Sequence, residues 1–225
     1  MASAGLFTAD GGGNLTNGYD DEFVEGTPTE ISDSFTGTYI LDASGMGRVD
    51  SQISFNKHEP APQLIFYLTG NGNPSVVLSL DTTLGTMGMG LANPQSASAV
   101  AFNGKYGLTF TQGIGALESD SIAQISADSA SGSFSGVVDS NLDFNGQLDT
   151  PLSGSFTPGT ATGRYTGSLT DVFFPTPGAN PSSLTMAFYL IDSAHGYFIE
   201  TDSSISAELT FGYFGARTPV CATCP

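Results

Sequence analysis

At 225 residues the chain can form one large β domain or two of roughly 110 residues, and its 5 Lys and Arg against 22 Asp and Glu give a formal net charge of −17. A field of that sign repels phosphate backbones and anionic lipid headgroups, which argues against nucleic acid and peripheral membrane partners. No run approaches the roughly 18 to 20 apolar residues of a membrane helix, and Met1-Ala-Ser-Ala lacks the basic start and apolar stretch of a signal peptide.

Read from the N-terminus, apolar residues recur at period two, and no helical i, i+3, i+4, i+7 pattern survives without a Gly, Pro or Ser/Thr cluster inside it. Seven strands are predicted first: Leu6 to Ala9, Leu15 to Tyr19, Ser34 to Leu41, Gly47 to Phe55, Gln63 to Thr69, Val76 to Asp81 and Thr86 to Ala92. Asn93-Pro-Gln-Ser-Ala-Ser98 reads as a linker. Eight strands follow: Tyr106 to Thr111, Ser121 to Ala127, Gly132 to Val138, Leu152 to Thr157, Gly163 to Thr170, Leu184 to Ile191, Gly196 to Thr201 and Ala207 to Phe214. The gaps between these last eight, among them Asp128-Ser-Ala-Ser131, Asp139-Ser-Asn141 and Asp192-Ser-Ala-His195, have turn compositions. The alternate face of 163–169 carries Arg164, Thr166 and Ser168, so insertion of such a barrel into a membrane is not expected.

The two sets repeat each other at a spacing of about 120 residues. Phe35-Thr-Gly-Thr-Tyr39 returns as Leu152-Ser-Gly-Ser-Phe156, Gly47-Arg48 as Gly163-Arg164, and Phe66-Tyr-Leu68 as Phe188-Tyr-Leu190. What repeats is turn and alternation chemistry, with no nucleophile, base or ligand cluster, so the duplicated object is a scaffold. The expectation is an all-β protein of two tandem antiparallel meander β-barrels, residues 1–95 and 99–218, followed by a tail over 219–225. Eight strands close a barrel. The first repeat has seven, lacking the counterpart of Tyr106 to Thr111, so its open edge invites a strand from elsewhere and self-association. Apolar residues on both faces at 64–68 and 187–191 predict strands covered from outside as well.

Alternation places Tyr106, Phe110, Phe134, Phe188 and Phe211 inside the second barrel, where they are the candidate residues for holding a small apolar ligand. With no Trp and most Phe and Tyr read as inward, the sequence gives no support for an exposed carbohydrate platform, and a lectin stands as an open but unsupported reading. Asp10-Gly-Gly-Gly-Asn14 with Asp20 offers hard oxygen donors to a cation, against an ordinary Asx turn. The repeated Arg48 and Arg164 suggest one structural ion pair per unit, with the matched Asp20 and Asp139 as partners, against solvated rim pairs. His58 and His195 lie in polar loops without a triad context, and Gly132-Ser-Phe-Ser-Gly136 opens a strand rather than a nucleophile elbow. Cys221 and Cys224 stand alone as a C-x-x-C, read as a disulfide or as free thiols. No cofactor is expected.

The succession Phe-Thr-Ala-Asp-Gly-Gly-Gly-Asn, Phe-Thr-Gly-Thr-Tyr, Gly-Arg and Phe-Tyr-Leu resembles a repeat domain of large secreted or surface proteins of soil bacteria such as Acidobacteria. The likeness spans both copies, Gly5 to Thr218, and implies a scaffold without an assigned activity. By strand count alone the units are similar to lipocalin and avidin barrels. The function expected is that of a non-enzymatic, exported structural or adhesive protein. The alternative is a module holding a small apolar ligand inside one barrel.

Overall fold

A computed structural model describes residues 2–23, 30–57, 63–70, 74–81, 86–96, 100–114, 117–142, 145–170, 183–201 and 208–217. His58, Cys221 and Cys224 lie outside them. The described chain is all strand: β1 (Ala2–Ala9), β2 (Asn14–Phe23), β3 (Glu30–Leu41), β4 (Arg48–Phe55), β5 (Gln63–Tyr67), β6 (Ser75–Asp81), β7 (Thr86–Ala92), β8 (Gly104–Ile114), β9 (Leu117–Asp128), β10 (Ser133–Leu142), β11 (Asn145–Pro158), β12 (Arg164–Thr170), β13 (Leu184–Leu190), β14 (His195–Glu200) and β15 (Glu208–Ala216). Two compact units result. One comprises Gly5–Asp21 and Ile31–Gln95, and the other Ser96–Pro225 with Met1–Ala4 and Glu22–Glu30.

In the first unit β1 to β7 pair in sequence order as one seven-stranded sheet. The sheet curls, because Phe7 on β1 meets Phe66 on β5 edge-on at 5.6 Å, four strands away. Its core joins Leu15, Phe35, Ile53 and Phe55, with Phe7, Tyr39 and Leu64 packed around them. Ile65 and Phe66 are neighbours in sequence and both buried, so β5 is covered on both faces.

In the second unit β8 to β15 form a closed antiparallel barrel, with β8 pairing both β9 and β15. Its walls come close enough to require glycine. A Cβ at Gly154 would overlap the Phe134 ring and the Ser168 carbonyl, and one at the repeat-matched Gly37 would overlap the Gln52 carbonyl. One end of the interior is aromatic, built from Tyr106, Phe134, Phe156, Phe188 and Phe214. Toward the other end it turns polar, with buried Ser121, Ser140, Glu200 and Thr210. The Thr210 N–H donates to Glu200 at 3.0 Å, and the Ser121 hydroxyl to Ser140 at 2.8 Å.

Two expectations need correction. Asp139-Ser-Asn141 is not a turn but the far end of β10, where the register slips between Val138 and Ser140. Asp139 accepts the Asp149 N–H at 2.7 Å, and Asp149 adopts φ +52. Its turn-like composition serves a β-bulge, which bends the strand pair without ending it. Secondly, Phe211 does not point inward, and neither does Tyr213 at the next position of the same parity. Phe214, opposite Leu108, is the inward residue of β15, while Phe211 lies opposite Thr111 and is 46% exposed.

Candidate functional site

Of the residues assigned to an interior ligand site, Tyr106, Phe134 and Phe188 are buried as expected. The position of Phe110 on β8 is described, opposite Gly212, but not its side chain. The space these rings enclose already has an occupant. Phe102, from the segment entering β8, is fully buried and lies 4.9 to 5.3 Å from the rings of Tyr106, Phe156, Phe188 and Phe214. The segment is pinned by the Tyr165 hydroxyl, which donates to the Val100 carbonyl at 2.9 Å, and by the Ser129 N–H, which donates to Asn103 at 3.1 Å. Phe102 is therefore a plug at the aromatic end. No alternation marks it, since it precedes the strand it closes.

The Asp10 turn holds its own oxygens. One carboxylate oxygen accepts the N–H of Gly12 at 2.7 Å and of Asn14 at 2.9 Å, and the other accepts the Asn14 side-chain amide at 2.6 Å. The Asn14 amide, then the backbone N–H groups, hold the Asp10 carboxyl below its ordinary value. Asp20 is six residues beyond Asn14 along β2, about 20 Å of extended chain away, beside Gly5. The three residues do not converge. Among the described residues no three His, Cys, Asp or Glu side chains are grouped as metal ligands.

Each repeated arginine stands across from a tyrosine, and the ion pair that Arg48 forms is with Asp50 rather than with Asp20. Arg164 is buried and stands directly across from Tyr189, and Arg48 stands across from Tyr67 in the equivalent register. The Arg164 Nε donates to the Tyr189 hydroxyl at 3.3 Å, and Arg48 bonds Tyr67 while forming its ion pair with Asp50. Asp139 is spent on the bulge. The signal was present, because Tyr67 and Tyr189 repeat along with the arginines.

His195 is part of a hairpin cap: its Nδ1 lies 3.1 Å from both oxygens of Asp192, which also accepts the N–H groups of Ala194 and His195. Burial pushes the Asp192 carboxyl up, but the His195 ring and these N–H groups outweigh it and hold the group below its ordinary value.

What alternation missed is a groove on the outer wall of the barrel, about 790 Å³ in volume. Its floor is set by register. Tyr197 and Tyr213 are cross-strand partners with rings 5.5 Å apart edge-on, and His195 stacks beside Tyr213 at 6.2 Å. Phe211, Ile122 and Leu148 continue the apolar surface, and Ile122 and Leu148 are 60% and 76% exposed. At the bulge Leu148 and Asp149 of β11 oppose the single Asp139 of β10, and Asp139 and Leu148 both line the groove. Asp120, Asp139 and Asn141 supply the polar lining, and the Thr111 hydroxyl donates to Asp120 at 3.0 Å. Burial, then the neighbouring Tyr197, pushes the Tyr213 hydroxyl above its ordinary value, so the phenol is neutral at physiological pH. No Lys or Arg lines the groove.

No protein-family model matches the chain, and no curated protein matches it. Elsewhere the outer wall varies: Ala187, Tyr189 and Ile199 on β13 and β14 are apolar and buried, so β13 is covered on both faces as expected, whereas β11 and β12 are polar. Ser155 pairs with Ser168 at 3.0 Å and Ser153 with Thr170 at 2.8 Å, a ladder of hydroxyls along β11 and β12. Among the described residues no helix is long and apolar enough to cross a membrane.

Proposed function

We propose that the chain is a non-enzymatic, exported adhesive module that engages a neutral polysaccharide through the outer aromatic groove. The observation carrying this reading is the placement of Tyr197, Phe211 and Tyr213 on an exposed concave face while the barrel interior is plugged by Phe102. Exposed aromatic rings offer faces on which the C–H faces of sugars pack, and the carboxylates and amide around them accept and donate hydrogen bonds to hydroxyls. The charge of the chain, together with Asp120 and Asp139 in the groove, disfavours anionic partners and suits an uncharged one. The exported setting rests on the acidic, hydroxyl-rich composition and its likeness to surface repeat proteins.

Retention on insoluble cellulose, chitin, starch and xylan tests the proposal. The wild-type protein is expected to bind at least one of them, and the double variant F211S/Y213S to bind at least tenfold less while keeping its melting temperature. Retention of neither protein on any of the four, or equal retention of both, overturns it.

A further inference from the structure

The duplication allows the two units to be read against each other, strand for strand. Phe66, Val77 and Gly90 are paired across β5, β6 and β7 just as Phe188, Phe198 and Gly212 are paired across β13, β14 and β15. In the closed barrel β8 lies beyond β15, with Phe110 opposite Gly212 and Leu108 opposite Phe214. In the first unit no described strand lies beyond β7. The inward positions of β7 are also nearly empty. Gly90 takes the place of Gly212 and Ala92 that of Phe214, and a Cβ built on Gly90 would meet nothing within 4 Å. Among the described residues, seven apolar residues are buried in the first unit, against 20 in the other.

Among the described residues, nothing defends the outer edge of β7. Exposed edges are ordinarily blunted by charge, proline or a bulge. The sequence of β7, Thr-Met-Gly-Met-Gly-Leu-Ala, has neither charge nor proline, and its register with β6 runs unbroken from Asp81↔Thr86 to Ser75↔Ala92.

We propose that the first unit is a strand acceptor: the edge of β7 takes an extended segment of another polypeptide, in the place β8 holds in the closed barrel. The incoming strand carries large uncharged apolar residues at alternate positions and no carboxylates. Backbone N–H and C=O groups of β7 supply the affinity, and the room above Gly90 selects the side chains. A donor bearing acids would be repelled by the net negative charge of the chain. β8 itself meets these requirements, with Tyr106, Leu108 and Phe110 at alternate positions and Lys105 as its one charge. The proposal is independent of the groove on the other unit.

A synthetic peptide copying 104–114 serves as the probe, added to the intact wild-type protein, with a second peptide carrying Ser in place of the Tyr, Leu and Phe as control. Hydrogen exchange of the β7 amides is expected to slow at least tenfold with the first peptide and to be unchanged with the second. Exchange unaffected by a saturating excess of the first peptide overturns the proposal, and equal protection by both overturns the side-chain selection. In G90L, where the added side chain fills the same space, the peptide is expected to lose at least tenfold in affinity. Unchanged affinity in a G90L protein that keeps the wild-type circular dichroism also overturns it.

Discussion

Arg164 and Tyr189 face each other across β12 and β13, the guanidinium carbon 5.9 Å from the ring centroid and the Nε hydrogen-bonded to the phenol. A cation near an aromatic ring, inside a buried site, holds two strands by cation–π attraction and by a directional donor together. The same pairing of Arg48 with Tyr67 makes it a repeated feature of the scaffold. Arg164→Ala is expected to destabilise the second unit by about 1–3 kcal/mol, whereas Lys105→Ala, at an exposed position, leaves it unchanged. Thermal melts of the two variants check this, and equal midpoints would show that the repeated arginine does not hold the wall. Arg164→Lys should not restore the loss, because lysine has no Nε–H donor and no planar fork to meet the Tyr189 hydroxyl.

Removing the plug should both weaken the barrel and open it. Phe102→Ala deletes a fully buried ring, a change that costs about 3–5 kcal/mol when the surroundings cannot collapse. The hole left is walled by Tyr106, Phe156, Phe188 and Phe214, and a dry apolar cavity of this kind takes up small apolar solutes. Benzene is expected to raise the melting temperature of Phe102→Ala and to leave that of the wild type unchanged.

The close approach at Gly154 separates a required glycine from a dispensable one. A methyl there collides with Phe134 and with the backbone of β12, whereas at Gly107 it meets nothing within 4 Å. Gly154→Ala should lower the urea midpoint sharply or prevent folding, and Gly107→Ala should shift stability by no more than about 0.5 kcal/mol. Comparable midpoints would mean that the wall can yield at Gly154.

Acid should act through the hairpin aspartates. The Ala130 N–H at 2.9 Å and the Ser131 hydroxyl at 2.9 Å hold the Asp128 carboxyl below its ordinary value of 3.8. A carboxylate depressed in the native state contributes stability that is fully present above pH 3.8 and is lost as pH falls through the lowered native value. Protonation elsewhere also relieves the repulsion of the net charge, so the informative quantity is a difference between two proteins. The advantage of wild type over Asp128→Asn in urea midpoint should be present at pH 7 and shrink progressively as the pH falls below 3.8. An advantage independent of pH would mean that shape, rather than charge, sets the turn.

The strand content, the duplication and the count of seven and eight strands are local properties, and the sequence by itself determined them. Period-two alternation and turn residues report on a few neighbours at a time, and a repeat such as Gly47-Arg48 with Gly163-Arg164 needs no coordinates to be seen. The facing of β15 is different. Its sequence, Glu-Leu-Thr-Phe-Gly-Tyr-Phe-Gly-Ala, is apolar at both parities, so alternation could not choose between Phe211 and Phe214. Only pairing with β8 decided, by setting Phe214 opposite Leu108 and leaving Phe211 outside. Asp139 read as a turn because bulges and turns use the same residues for the same hydrogen bonds, and Phe102 carried no mark because a plug obeys no strand period. The groove depends on all of these at once. Its rings, its bulge and the closed interior behind it are relations between residues far apart in the chain, which only the tertiary structure brings together.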